Sequence, residues 1–232
     1  MSPLDRIDPG NGAATARTLI RSADVGEHYF ANRPETASRP RTVDLVLPDL
    51  HLRLETDRGM FSPDRVDPGT RVLLESVPPP PATGTLLDLG CGYGPIALTM
   101  AHRSPGATVY GVDVNERALD LARRNATTAG LDNVRFGLAE EIDPALRFDA
   151  IWSNPPIRIG KAALHDLLLA WLPRLTPGGV AHLVVQKHLG SDSLQRWLNE
   201  RGHPTERLTS RSAYRVLAVS ARPRARTGSD TA

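Results

Sequence analysis

"TLLDLGCGYGPIALTM", residues 85–100, moves from a short apolar run through alternating glycines into a proline and a second apolar run at helical spacing. Glycines at 90, 92 and 94 let the backbone turn tightly and approach a ligand more closely than a Cβ permits. Proline suits the first turn of a helix, where its missing N–H has no partner to lose. The stretch therefore reads as strand, turn, helix. The same rhythm continues downstream: "TVYGVDV" (108–114) is a strand and "ERALDLARRNATTAG" (116–130) an amphipathic helix. "VRFGLA" (134–139) and "FDAIWSN" (148–154) are strands, and "ALHDLLLAWLPRL" (163–175) is a helix. "GGVAHLVVQ" (178–186) is a strand, "SLQRWLNERG" (193–202) a helix and "YRVLAVSA" (214–221) a closing strand. Such alternation implies an α/β fold, an open parallel sheet with helices on both faces. Ligands of such sheets bind beyond the carboxyl ends of the strands, where the strand order reverses.

Upstream the pattern changes. "TVDLVLPDLHLRLETD" (42–57) alternates apolar and polar residues about a Pro-Asp break and predicts a β-hairpin; "GTRVLLESV" (69–77) opens a helix, and "PPPPATG" (78–84) is a stiff connector. Residues 1–41, rich in Pro, Gly, Ala, Ser and Arg, read as a mobile arm in which Tyr29 and Phe30 are candidates to dock. The division is an arm (1–41), a domain (42–222, with the extension 42–84 and the core 85–222) and a tail (223–232).

Hydrophobic content of 40% and charged content of 23% are those of a soluble globular chain. A single cysteine, Cys91, excludes an internal disulfide and any cysteine-based zinc site, and fits a reducing cytosol. No segment has the apolar length of a membrane span, and "MSPLDRIDPGNG" (1–12) lacks a signal-peptide core, so a cytoplasmic location is expected. The histidines show no metal-binding spacing, and His165 reads as structural or surface. With a net charge of +2 the chain is only mildly basic, and its arginine-for-lysine bias reads first as coding composition. Local clustering says more: "ERLTSRSAYRVLAVSARPRAR" (206–226) contains Glu206 as its only acid.

Asp88 precedes the first glycine by two residues, where an acid is unwelcome beside a pyrophosphate but suits an ammonium group. The spacing G-x-G-x-G also differs from the dinucleotide fingerprint. Asp113 ends the second strand, where a carboxylate accepts from both ribose hydroxyls. Equally, Asp113 or Asn115 caps the following helix, and the two roles are compatible. Val114 is placed to lie under an adenine ring. Together these residues suit an adenosine whose tail is an amino acid. "WSNPPIRIG" (152–160) then ends a core strand with Asn154, Pro155 and Pro156; proline removes a donor and fixes φ, so the strand stops there.

"LLDLGCGYGPIAL" (86–98), "GVDVNERALDLARRNA" (111–126) and "SNPPI" (153–157) resemble the motifs of class I S-adenosylmethionine-dependent methyltransferases. With "LETDRGMFSPDRVDPGTRVLLESV" (54–77) and "NPPIRIGK" (154–161), the chain is similar to the methyltransferase small-domain family over about residues 42–221. The resemblance implies a doubly wound, Rossmann-like sheet of seven mostly parallel strands with an N-terminal β-hairpin, and S-adenosyl-L-methionine as cofactor. It implies a cofactor site of Asp88, Gly90, Cys91, Gly92, Gly94, Asp113, Val114 and Asn154. Where relatives place an acid against the adenine amino group this chain has Ala139, with Glu140 beside it or a backbone contact as substitutes.

Catalysis is implied at Asn154, Pro155 and Pro156. Asn154 Oδ1 and the Pro155 carbonyl would accept from an amine that conjugation makes a poor nucleophile. Phe61, Ile157, Arg158 and Lys161 are substrate-binding candidates; for Phe61 a core place, and for Arg158 and Lys161 a solvated helix start, are the plain alternatives. The implied substrate is the exocyclic N2 of a guanine in 16S ribosomal RNA, with ribosomal RNA or the small ribosomal subunit as partner and neither metal nor membrane involved. The same chemistry is open to a protein glutamine amide or adenine N6, although Ile157 in place of an aromatic weighs against both. A non-catalytic cofactor-binding RNA module is a third reading. The chain lacks room for a second methyltransferase-like domain, so recognition would fall to the arm, the hairpin and basic surface.

Overall fold

The computed structural model describes residues 39–58, 62–156 and 159–222. The alternating stretch folds as β1 (Arg41–Leu47) and β2 (Leu50–Thr56), antiparallel about Pro48 and Asp49. Its inward residues, among them Leu45, Leu52 and Leu54, are buried. There follow α1 (Pro68–Ser76), β3 (Thr83–Leu89), α2 (Pro95–Arg103), β4 (Gly106–Val112), α3 (Glu116–Ala129) and β5 (Val134–Gly137). The chain continues through β6 (Phe148–Ser153), α4 (Lys161–Trp171), β7 (Leu175–Gln186), α5 (Ser191–Glu200), β8 (Thr205–Arg211) and β9 (Tyr214–Ser220).

The main sheet has seven strands in the order β5-β4-β3-β6-β7-β9-β8. β5, β4, β3, β6 and β7 run parallel, and β9 is antiparallel to both β7 and β8. Period-two alternation separates two cores. Leu86, Val109, Trp152 and Val216 face α1, α2, α3 and the hairpin, while Leu87, Val112, Ile151 and Leu217 face α4 and α5. The fold is thus the doubly wound α/β sheet with an N-terminal hairpin. β8 is a correction: residues that read as a basic cluster form the edge strand. The helix expected over 163–175 instead runs Lys161–Trp171, and a 3-10 turn at Leu172–Arg174 carries Pro173 near its start.

The order reverses between β3 and β6. Asp88 lies beside Trp152 in the ladder, and Ser153 Oγ donates to the Leu89 carbonyl at 2.6 Å, so the two strands end together. The hairpin is fastened to this end by Asn125 of α3. Its Oδ1 accepts from the Glu55 N–H at 2.7 Å, and its Nδ2 donates to the carbonyls of Glu55 and Tyr93, both at 2.9 Å. Asn125 is buried, so these bonds satisfy groups that water does not reach. Asn125→Ala should destabilise the domain by about 1–3 kcal/mol, the cost of leaving buried polar groups unpaired, as measured by urea unfolding.

Candidate functional site

The glycine loop leaves β3 with Gly90 at φ 77°, Gly92 at φ 54° and Gly94 at φ 96°, the left-handed region where a side chain is strained. The glycines have different surroundings. A Cβ on Gly92 would meet nothing within 4 Å, so its face is open to a ligand. A Cβ on Gly94 would lie 3.3 Å from Ala122 Cβ, so that glycine serves helix packing. A Cβ on Gly90 would lie 3.9 Å from Pro156 Cδ, which places the Asn-Pro-Pro segment against the loop.

The backbone donors of Gly90, Cys91 and Gly92 are already engaged. Gly90 and Cys91 both donate their N–H to the Val112 carbonyl, at 2.8 and 2.9 Å. Gly92 N–H donates to Asp113 Oδ2 at 2.8 Å, and Asp113 Oδ1 accepts from Asn115 N–H at 3.0 Å. Asp88 is fully buried beneath the loop and its Oδ2 accepts from Ala97 N–H, in the first turn of α2, at 2.8 Å. A carboxylate therefore fills the helix N-terminus that a pyrophosphate would otherwise occupy. Asp88 Oδ1 has no hydrogen-bond partner among the described residues. Burial pushes the Asp88 carboxyl well above the usual carboxylate range; the Ala97 bond opposes this and the Asp113 charge adds to it. Burial also raises Asp113, against the opposing N–H groups of Asn115, Gly92 and Val114.

Asn115 caps α3 by accepting from Arg117 and Ala118, so capping and a strand-end carboxylate coexist here. Val114 is 47% exposed, an apolar side chain left uncovered beside Asp113. Cys91 is turned inward. Its thiol is pushed up by burial and then by the charges of Asp113 and Asp88, so any contact it makes to a ligand at the loop falls to its backbone. Ala139 and Glu140 are exposed in a 3-10 turn, Ala139–Glu141, past the end of β5. Of the two acids, Glu141 is the one drawn back, its Oε2 accepting from Leu138 N–H at 2.8 Å.

Asn154 follows β6 directly. Its Nδ2 donates to Asp67 Oδ2 at 2.8 Å and to Thr70 Oγ1 at 3.0 Å, while its Oδ1 has no donor among the described residues. Both partners belong to the start of α1, where the same Asp67 Oδ2 accepts from Thr70 N–H at 3.0 Å as the helix cap. Sequence reasoning missed Asp67 and Thr70 as site residues. "VDPGT" carries the helix-start signal of an acid before a proline, but nothing local points at Asn154. Asp67 also reaches the aromatics. Burial raises Tyr93 and Tyr214, and the Asp67 charge raises both further, with Arg65 opposing at Tyr214.

Lys161 is exposed as the first residue of α4. His165 stacks on Trp197 with ring centroids 3.5 Å apart. The basic run 206–226 is largely neutralised in its described part: Arg207 and Arg215 pair with Asp192, and Arg211 with Glu75. Expectations placed on residues 1–38, Phe61, Ile157, Arg158 and residues 223–232 fall outside the described residues. Among the described residues no helix is long and apolar enough to cross a membrane, and no group of three or more His, Cys, Asp and Glu residues is arranged to hold a metal ion.

The family model described as methyltransferase small domain matches residues 51–218. The uncharacterized protein YbxB of Bacillus subtilis is 34% identical over 196 residues, covering 83% of this chain and 98% of YbxB. Ribosomal RNA small subunit methyltransferase C of Hahella chejuensis is 37% identical over 172 residues, 71% of this chain and 48% of the relative. Among solved structures, the T. thermophilus 16S rRNA N2 G1207 methyltransferase (RsmC), in complex with AdoMet and guanosine, superposes with a TM-score of 0.68 at 27% identity. That alignment covers 82% of this chain and 52% of the other. The chain thus spans about half the length of these ribosomal RNA methyltransferases and nearly all of YbxB.

The unfolded chain ionises Asp88 near the ordinary carboxylate value of about 3.9, whereas the folded chain holds the proton to higher pH. Folding therefore binds a proton, and stability is lost as pH rises through the folded titration. Asparagine keeps the acceptor for Ala97 N–H without the charge. Asp88→Asn should gain stability relative to the wild type as pH rises from about 4 to 7, measured by denaturant unfolding across that range.

Proposed function

The chain belongs to the methyltransferase small-domain family, and from that premise we propose that it methylates the exocyclic N2 of a guanine in small-subunit ribosomal RNA. One observation carries the amine reading: both hydrogens of the Asn154 amide are directed at Asp67 and Thr70, which leaves Oδ1 as an acceptor without a donor. An acceptor at that place suits a nucleophile that bears hydrogens. The guanosine in the T. thermophilus structure and the names of the relatives support the choice of base and of RNA.

The residues present fit S-adenosylmethionine, which when bound supplies a methyl group on a sulfonium leaving group. The open face at Gly92 admits close approach, and the exposed Val114 offers apolar cover for an adenine ring. Asp113 stands at the strand end for the ribose hydroxyls. Buried Asp88, its Oδ1 without a partner among the described residues, lies beneath the glycine loop, where an ammonium group would favour its ionised form. Phosphate is disfavoured, because Asp88 and Asp113 already occupy the N–H groups that would bind it. Ala139 and Glu140 border the adenine end through the turn after β5.

In the catalytic step Asn154 Oδ1 and the Pro155 carbonyl accept from the two N–H groups of the substrate amine. Conjugation draws the nitrogen lone pair into the base, and these acceptors favour its pyramidal form and aim it in line with the methyl group. Pro155 and Pro156 keep the acceptors from collapsing inward, with Pro156 against Gly90. The nitrogen would gain the methyl as the methyl–sulfur bond breaks and the sulfonium leaves as a neutral thioether, and it would release one proton to solvent. Positioning carries much of the rate, without a strongly shifted general base. Lys161, exposed at the start of α4, is placed to meet phosphate.

The cations support an RNA partner. Nine arginines in the described residues are paired with acids, from Arg41 with Asp64 to Arg215 with Asp192. Among the described residues Lys161, at the start of the helix after the Asn-Pro-Pro segment, and Lys187, directly after the strand paired with β6, have no such pairing.

The deciding experiment incubates the protein and labelled S-adenosylmethionine with small ribosomal subunits, naked 16S RNA and release factors, and identifies the methylated product by mass spectrometry. N2-methylguanosine is expected; a methylated glutamine would move the assignment to a protein amide. Asn154→Ala should lower turnover by about 10²–10³ with S-adenosylhomocysteine affinity kept. Asp113→Ala should weaken that affinity by about 1–3 kcal/mol in calorimetric titration. Affinity for RNA should fall with salt, log K against log salt sloping about −0.7 to −0.9 per phosphate contacted. Neutralising Lys161 and Lys187 should flatten that slope; an affinity insensitive to salt speaks against RNA.

A further inference from the structure

We infer that Asp67 and Thr70 are positioning residues that set the polarity of the Asn154 amide and so select an N–H-bearing nucleophile over a bare acceptor. This rests on the reading that Asn154 holds the methyl acceptor. The oxygen and nitrogen ends of an asparagine amide are nearly the same size, so shape alone does not decide which end faces the substrate. Partner chemistry decides it. A carboxylate oxygen only accepts, and Asp67 Oδ2 stands 2.8 Å from Asn154 Nδ2. Thr70 Oγ1 receives the second amide hydrogen at 3.0 Å. Turned over, Asn154 would set its own oxygen against the Asp67 oxygen, two acceptors with no hydrogen between them.

Asp67 is itself held in place. The oxygen that receives Asn154 also accepts from Thr70 N–H at 3.0 Å, so the cap of α1 and the orientation of Asn154 share one atom. The first turn of α1 is pressed on β9: a Cβ on Gly69 would lie 2.7 Å from Tyr214 Cε1, so only glycine fits between them. Thr70 is buried, which keeps water from competing for the amide hydrogens. The α1 start thus presents Asn154 Oδ1, and only Oδ1, toward the substrate. A ring nitrogen or carbonyl oxygen as nucleophile would meet a lone pair there.

Three variants separate orientation from helix capping. Serine also caps helices but is too short to reach Asn154, so Asp67→Ser keeps the cap and loses the amide contact. Asp67→Asn keeps an oxygen that Thr70 N–H holds in place. Thr70→Val removes only the hydroxyl. The first readout needs no substrate: hydrogen exchange of the Asn154 side-chain ¹⁵N amide by NMR, assigned by its absence in Asn154→Ala. Wild type and Asp67→Asn should show protected amide hydrogens, with exchange at least about tenfold faster in Asp67→Ser and a smaller increase in Thr70→Val.

The second readout is turnover on undermethylated small ribosomal subunits. Asp67→Ser should lose at least about tenfold in kcat while S-adenosylhomocysteine affinity and thermal midpoint stay near wild type, and Asp67→Asn should restore most of the loss. Unchanged Asn154 exchange in Asp67→Ser would overturn the inference whatever the substrate. So would a loss of kcat that follows thermal stability or cofactor affinity instead. If the wild type leaves ribosomal subunits unmethylated, the proposed function fails, while the amide exchange still decides the orientation by itself.

Discussion

The site depends on one junction, the parallel pairing of β3 with β6. Chain order reverses there, and the connections out of these neighbouring strands turn to opposite faces of the sheet, opening a crevice at their carboxyl ends. Asp88 beside Trp152 sets the register, and the Ser153 hydroxyl on the Leu89 carbonyl makes the strands end at one level. The glycine loop after β3 and the Asn-Pro-Pro after β6 therefore emerge side by side, close enough for Pro156 to lie against Gly90. A slip of one residue would exchange the inward and outward faces of β6 and carry Asn154 away from its partners.

Around this junction negative groups stand where a phosphate-binding fold leaves open donors. Asp88 caps α2 from below, and Asp113 takes the Gly92 N–H from the side. Burial makes both carboxyls reluctant to ionise. An electropositive tail resting over the glycine loop would relieve that cost, whereas an anionic one would add to it. The charge preference of the crevice thus follows from which backbone donors are already taken.

The N-terminal extension completes the site instead of decorating the sheet. Asn125 ties β2 to the glycine loop through Glu55 and Tyr93. α1 packs across β7 and β9 and delivers Asp67 and Thr70 to Asn154. A core beginning at residue 85 would keep Asp88, Asp113 and the glycines but leave Asn154 without its hydrogen-bond partners Asp67 and Thr70.

The sequence by itself determined the strand-turn-helix rhythm, the hairpin and the glycine loop, and singled out Asp88, Asp113 and Asn154 as candidates, because each depends on local signals. Apolar period, the φ range of glycine and the missing N–H of proline act within a few residues. β8 escaped that reading. Its hairpin turn is Ser212-Ala213, both at positive φ (48° and 66°), in place of the Asn-Gly that marks such turns, and its exposed edge carries arginines in place of an alternating apolar face. The rest was decided by tertiary structure. Asn154 meets Asp67 and Thr70 across 87 and 84 residues, and Asn125 meets Glu55 across 70, separations at which no periodicity signals contact. Which acid folds back after β5, which arginines are neutralised, and which end of the Asn154 amide faces outward depend on partners brought from distant segments. A polar side chain has no preferred orientation until such a partner supplies the complementary donor or acceptor.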